Sequence, residues 1–364
     1  MRRSGIAHLK LHGGKAPDWL TERMIKLGKS IMTVIAEEHG TDEILLRLAD
    51  PFFFQALSNV LGFDWNSSGT TTVLCGVLKT VFTETELGIQ GVGGKGKQSR
   101  KSPLELEKIA DEFSLGEKTL QMLKYSSKMC AKVDNTAIQA GYPLYHHSMF
   151  LNEKGKWAVI QQGLNVKMKK ARRYHWISEK VRDFVEEPHE GIVGDVLHDR
   201  VLDLTSKESR GCRSTITDIS KEKPIYTKKL FESLKKGQKT LLNFKTAEAS
   251  NAIYRVPERM NWSAIERIYE LQPENFENLL AIRGVGPTTI RGLALVSEII
   301  FGERPSWKDP VKYCFAFGGK DGVPFPVNRE DYDKAIKILE EAVVQSKLGD
   351  KESIQAIKRL NQLK

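Results

Sequence analysis

The chain has 364 residues and a formal net charge of +10, from 56 Lys and Arg against 46 Asp and Glu. That length is enough for two or three domains with real cores, and the positive excess suits a polyanionic partner. No apolar run approaches the ~20 residues of a membrane-spanning helix, and the start MRRSGIAHLKLHGGKAP lacks an apolar signal core. Cys75, Cys130, Cys212 and Cys314 stand far apart with no CxxC pair. This argues against a zinc ribbon or a disulfide framework and points to a reducing cytoplasm.

Residues 19–39 carry Leu20, Met24, Leu27, Ile31, Val34 and Ile35 at helical spacing, which predicts an amphipathic helix. A second helix is expected from Asp50-Pro51 through Phe54, Leu57 and Leu61. The segment GFDWNSSGTTT (62–72) reads as a loop dense in glycine and hydroxyls. Residues 73–82 read as a buried helix, 91–103 as a Gly/Lys loop, and 103–113 and 117–134 as two more helices. LYHHSMF (144–150) and KWAVIQQGLN (156–165) flank the turn segment LNEKGK, the pattern of a β-hairpin. The basic, aromatic stretch ARRYHW follows directly. Residues 210–227 read as a polar connector. Beyond it the chain is helical apart from a loop at 302–327, and 331–348 and 351–363 read as Lys-rich surface helices. The expected fold class is α+β. A mixed N-terminal α/β domain with a central hairpin or sheet (1–215) precedes a connector (216–226) and an all-helical domain (227–364).

Within the helical part, FENLLAIRGVGPTTIRGLALVSEIIFG (276–302) reads as a helix, a two-glycine turn and a second helix. Gly284 and Gly286 allow positive φ or close approach of a partner. Pro287 suits the first position of a helix. The amides of Gly286 and Thr288 would face an anion, with Thr289 beside them and Arg283 and Arg291 flanking. The pattern resembles the helix-hairpin-helix motif, which grips nucleic-acid phosphates without reading bases.

The positive charge is also clustered. Residues 167–182 hold seven Lys/Arg and one Glu, with Tyr174, His175 and Trp176 interleaved; 91–101 hold four Lys/Arg, Lys95 and Lys97 among them; and 223–239 hold six Lys and one Glu. Together with the hairpin, these runs favour phosphate binding. Arg172, Arg173, Ser67 and Ser68 join the expected DNA contacts. Trp157, Tyr174 and Trp176 are candidates for stacking on unpaired bases.

Several groups could carry chemistry. His146 and His147 are adjacent, so they leave opposite faces of a strand and only one can face a given site. His147 lies 15 residues before Gln162, one strand and a return away, and is expected near Gln162 and Asn165. This loosely resembles the phospholipase D superfamily, in which a His attacks phosphorus without a metal. Here Met149 stands at the lysine position of that pattern and Lys154 at its Asp. Asp134 with Lys132 and Gln139 resembles, in composition, the acid-plus-lysine sites of metal-dependent nucleases. If a metal serves, Mg²⁺ or Mn²⁺ is expected on Asp134 and Asp64, and Asp64 otherwise caps the following turn. Gly93-Gly94-Lys95-Gly96-Lys97 lacks the full P-loop spacing. Asp309 follows Phe301-Gly302 by seven residues, where helix-hairpin-helix glycosylases carry a catalytic Asp. Asp309-Pro310 also reads as a turn or helix cap.

Taken together, RLADPFFFQ, GFDWNSSGTTT, GGKGK, KVDN, YPLYHH, WAVIQQGLN, ARRYHW, RGVGPTTIRGLALVSE and PSWKDPVKYCFAFGGKDG resemble one uncharacterised prokaryotic family of unknown function, common in archaea, over nearly the whole chain. The resemblance implies an N-terminal α/β part followed by a helix-hairpin-helix part; it implies no activity. The functional expectation is a cytoplasmic DNA-processing enzyme, an endonuclease on single-stranded or branched DNA in repair or recombination. His147 would be nucleophile or base, with Gln162 and Asn165 on the scissile phosphate and Lys132, Arg172 and Arg173 stabilising charge. The alternatives are a non-catalytic nucleic-acid-binding protein and a glycosylase using Asp309. A homodimer would strengthen the hold of a single hairpin.

Overall fold

In the computed structural model, the described residues are 16–63, 68–194, 196–242, 256–311, 329–345 and 350–361. Asp64, Ser67 and Cys314 lie outside them.

The organising element is a five-stranded antiparallel sheet. Its order is β1 (Ile89–Lys95), β3 (Leu144–Asn152), β4 (Trp157–Asn165), β5 (Lys170–Ile177) and β6 (Gly191–Gly194). A two-stranded ribbon, β2 (Ile138–Gln139) with β7 (Leu202–Asp203), stands apart. The expected hairpin is β3–β4. The stretch ARRYHW continues it as β5, and half of the expected Gly/Lys loop is β1, which pairs with β3 from Ile89↔Asn152 to Lys95↔His146.

Helices cover both faces of the sheet, which is why its strands read as near-continuous buried runs. One face presents Phe150, Ala158, Ile160, Ala171 and Val193 to α1 (Asp18–His39), α2 (Thr41–Ala49), α3 (Pro51–Val60) and α4 (Gly69–Thr85). The other presents Met149, Val159, Tyr174, Trp176 and Ile192. They share one core with α5 (Ser102–Glu112), α6 (Glu117–Lys132), α7 (Arg210–Lys221), α8 (Pro224–Leu242), α9 (Trp262–Leu271), α10 (Phe276–Ala281) and α11 (Pro287–Phe301). Local chemistry fixes the helix starts. Asp50 caps α3, its carboxylate accepting from the Phe52 amide at 2.7 Å with Pro51 in the first turn. Asn275 caps α10 by accepting from the Asn278 amide at 2.9 Å. Such caps each contribute ~1 kcal/mol.

Two expectations about organisation change. The segment read as a polar connector is helix α7, whose Cys212, Ile216 and Ile219 are buried under α11. Its apolar residues recur every three to four positions among polar ones, a stripe too thin to stand out in the sequence. The last two helices, α12 (Arg329–Gln345) and α13 (Asp350–Asn361), do not join the hairpin helices. Ile336, Leu339, Val343, Ala356 and Leu360 enter the same core as Met24 and Phe53, so the chain returns to its first layer.

Candidate functional site

Strand pairing sorts the sequence candidates into two separate clusters. His147 pairs with Gln161, and His146 pairs with Gln162, which in turn pairs with Arg173. His147 and Gln162 therefore point to opposite faces of the sheet, because side chains alternate along a strand. The expected His147–Gln162 site does not form. Asn165 is not with them either; its side-chain oxygen accepts from the Met168 amide at 3.1 Å and shapes the β4–β5 turn.

On the α6 face, a chain of hydrogen bonds runs through the buried interior. Ser127 Oγ lies 2.8 Å from His147 Nε2, and His147 Nδ1 lies 2.9 Å from Gln161 Oε1. Gln161 Nε2 donates to Asp134 Oδ2 at 2.5 Å, and Trp176 Nε1 donates to the same oxygen at 3.0 Å. His189 Nε2 meets the other carboxylate oxygen at 2.5 Å. Because Gln161 presents its oxygen to the ring, His147 carries its proton on Nδ1 and accepts a hydrogen bond from the Ser127 hydroxyl at Nε2. Burial holds the His147 pKa below its usual value, against the Gln161 bond that raises it. Burial likewise raises the Asp134 carboxyl, against His189 and the other donors. Both nitrogens of His147 and both oxygens of Asp134 are thus engaged. Asp134 is ringed by N–H donors, which would repel a cation, so the residues around it do not fit Mg²⁺ or Mn²⁺. Among the described residues, no group of three or more His, Cys, Asp or Glu gathers to hold a metal. Ser127, Gln161 and His189 were not legible in the sequence, since their partners arrive from separate elements.

On the α3–α4 face, His146, Gln162 and Arg173 form one row across three strands. Gln162 Oε1 accepts from the Thr71 hydroxyl in the first turn of α4, and its amide donates to the Ser68 carbonyl at 2.8 Å and to the Tyr145 hydroxyl. Arg173 lies over the Phe54 ring at 4.8 Å and reaches Gln55 at 3.2 Å. It is fully buried, and that burial pushes its pKa down to about 9. Burial also pulls His146 down to about 3, helped by His147 and Lys95.

The expectation that Arg172, Arg173, Tyr174 and Trp176 form an exposed DNA-contacting surface does not hold. All are at most 1 % exposed, because the strand they occupy lies in a sheet covered on both sides. Trp157 is buried too and packs against Phe184. Arg172 instead forms a fully buried ion pair with Asp309 at 2.7 Å. Asp309 also accepts from the His198 amide at 2.9 Å and the Val311 amide at 3.1 Å. Asp309 therefore acts as a turn cap and ion-pair anchor, with its carboxylate turned away from solvent.

Lys132 and Gln139 have a different place from the one expected. They reach the glycine turn between α10 and α11. Lys132 Nζ donates to the Val285 carbonyl at 2.5 Å, and Gln139 Nε2 donates to the Pro287 carbonyl at 2.9 Å. Arg267 of α9 donates to the Arg283 carbonyl at 2.9 Å, and Asn261, the residue capping α9, donates to the Gly284 carbonyl at 3.1 Å. The turn's carbonyls are thus bonded toward the protein. Gly284 has φ +93°, a conformation that favours glycine; Gly286 is extended, with no heavy atom within 4 Å of where a Cβ would stand. No described group accepts from the amides of Gly286 and Thr288, and α11 has no side-chain cap. Arg283 and Thr288 are exposed, while Thr289 is buried. Arg291 is half-buried over Trp307 at 5.6 Å. Beside the turn lies an open groove of ≈ 580 Å³ lined by Gln139, Arg259, Thr288 and Arg291 among others. Lys95 and Lys97 are exposed on the sheet's opposite edge region; Ser68 is buried.

These features now meet the comparison with known families. The model for the protein of unknown function family DUF763 matches residues 5–327, and the chain belongs to that family. No curated protein and no solved structure matches the chain. No helix among the described residues is long and apolar enough to cross a membrane.

Proposed function

We propose that the protein binds DNA independently of sequence through a helix-hairpin-helix module at 276–302. The observation that carries this reading is the braced turn. Four outside side chains hold its carbonyls, so the amides of Gly286 and Thr288 stay pointed outward at the positive end of a 15-residue helix. Such an end attracts a phosphate, and the exposed Arg283 adds charge. Gly286 leaves room for close approach. The test is a gel-shift titration with duplex, single-stranded and forked DNA at several salt concentrations. Binding that weakens with salt and is lost in Gly286→Glu supports the module; affinity unchanged by that substitution removes it.

The second reading is that the protein also cleaves its DNA, as an endonuclease acting on single-stranded or branched substrates. The row His146–Gln162–Arg173 favours it, because it places an imidazole that burial keeps neutral, an amide and a guanidinium on one face, with no ion pair from that guanidinium to a described carboxylate. His146 replaces His147 as the base or nucleophile in this reading. Labelled DNA incubated with Mg²⁺, with Mn²⁺ and with EDTA tests it. Cleavage that His146→Ala abolishes supports the row; wild-type rate in that variant removes it. A glycosylase using Asp309 draws no support from the buried pairing of that carboxylate.

A further inference from the structure

Arg173 is a buried cation with no ion-pair partner among the described residues. It forms no ion pair with any described carboxylate, whereas its neighbour Arg172 on the other face pairs with Asp309. Its polar contacts are neutral: Gln55 Oε1 at 3.2 Å and the Thr71 hydroxyl at 3.5 Å. Its Nε has no acceptor. Other polar atoms on this face are also unpartnered and buried. Among them are His146 Nδ1, two strands away in the same row, and Ser58 Oγ, one turn along α3 from Gln55. Thr71 brings the first turn of the 17-residue helix α4 against both Gln162 and Arg173, adding the positive end of a helix dipole. Lys95 continues the row outward, paired with His146 and exposed at the sheet edge. A buried charge is normally retained only when something neutralises it. Every charged group in this row has the same sign.

We propose that the buried face between α3, α4 and the row Lys95–His146–Gln162–Arg173 is an oxyanion site for one phosphate group, with Arg173 as its charge partner. Arg173 Nε donates to the oxyanion, Gln162 is held in place by Thr71 and Ser68, and Lys95 draws the anion in from the edge. The use of the site rests on the cleavage reading, in which the phosphate belongs to DNA; its existence does not, and the two are measured apart.

The experiment is thermal unfolding and calorimetric titration of the full chain with inorganic phosphate, in phosphate- and sulfate-free buffer. The wild type is expected to bind phosphate and to melt at a higher temperature with it, since a ligand of the folded state stabilises that state. Arg173→Met should lower the affinity on the order of 10- to 100-fold, the weight of a charge-assisted hydrogen bond. It should melt no lower than wild type without phosphate, because it removes an uncompensated charge. Lys95→Ala, at an exposed position, keeps the fold and should weaken binding a few-fold. Wild type that neither binds phosphate nor gains melting temperature overturns the site, as does equal affinity in Arg173→Met. Competition by 5′-phosphorylated and unphosphorylated single strands then identifies the source. Displacement only by the phosphorylated strand assigns a DNA end, displacement by both assigns an internal phosphodiester, and displacement by neither assigns free phosphate. Phosphate binding without DNA cleavage keeps the site and removes the nuclease.

Discussion

Lys132 Nζ reaches the Val285 carbonyl at 2.5 Å across 153 residues of sequence. A lysine that reads as a charge stabiliser in the sheet half is instead a strut for the turn in the hairpin half. Its partly buried position holds its pKa below the usual value through desolvation. Lys132→Met removes the strut while keeping the aliphatic stem. It should weaken DNA binding several-fold and cost ~1 kcal/mol of stability, measured by gel shift and by urea unfolding. Loss of stability with unchanged affinity would show that the turn holds its shape without this bond.

The two glycines of the turn should separate fold from binding. Gly284 sits at φ +93°, so Gly284→Ala should destabilise by ~1 kcal/mol. Gly286 is extended and its Cβ would meet nothing within 4 Å. Gly286→Glu should therefore keep the wild-type melting temperature and still lose DNA affinity. A large fall in melting temperature for Gly286→Glu would contradict the open approach to that residue.

Asp309→Ala leaves Arg172 buried without its partner, a change that costs ~3–5 kcal/mol. Chemical denaturation should show that loss. A variant that melts normally yet loses base-excision activity would restore Asp309 to catalysis.

Acid should unfold this protein early. Folded His146 titrates at about 3, while its unfolded value is 6.5. His147 and His175 are also shifted down by burial. Between those values the unfolded chain binds more protons than the folded one, so stability is full above about pH 6.5 and falls as pH drops toward 3. His146 alone contributes a slope of ~1.4 kcal/mol per pH unit in that window. Melting curves from neutral pH downward should show the fall, and His146→Asn should flatten it. An identical pH profile in that variant would remove His146 from the titration.

Gly163 makes a third kind of test. A Cβ there would stand 2.2 Å from the Tyr142 carbonyl oxygen, beside the irregularity between Leu144 and His146. Gly163→Ala should cost ~1–3 kcal/mol as the backbone is forced apart. An unchanged midpoint in denaturant would show that the bulge can relax.

The features legible in the sequence were those written in adjacent residues. The β3–β4 hairpin, the opposite facing of His146 and His147, and the turn GVGP with Pro287 opening a helix all follow from local pattern. The rest depended on partners far along the chain. ARRYHW carries the charge of a surface and the burial of a core, and only a sheet covered on both faces reconciles them. Gln161 and Gln162 are equally plausible by composition; strand register alone assigns one to each face. His189 stands in a segment with no periodicity, and its meeting with Asp134 is set by the fold.

The return of α12 and α13 to the first helical layer has a mechanical consequence. Trp19, Leu20 and Arg23 of α1 line one pocket with Gln355 and Arg359 of α13, so the two ends of the described chain are clasped together. Tension applied at those ends would unzip this clasp first. The sheet and the glycine turn would carry no load until it had opened.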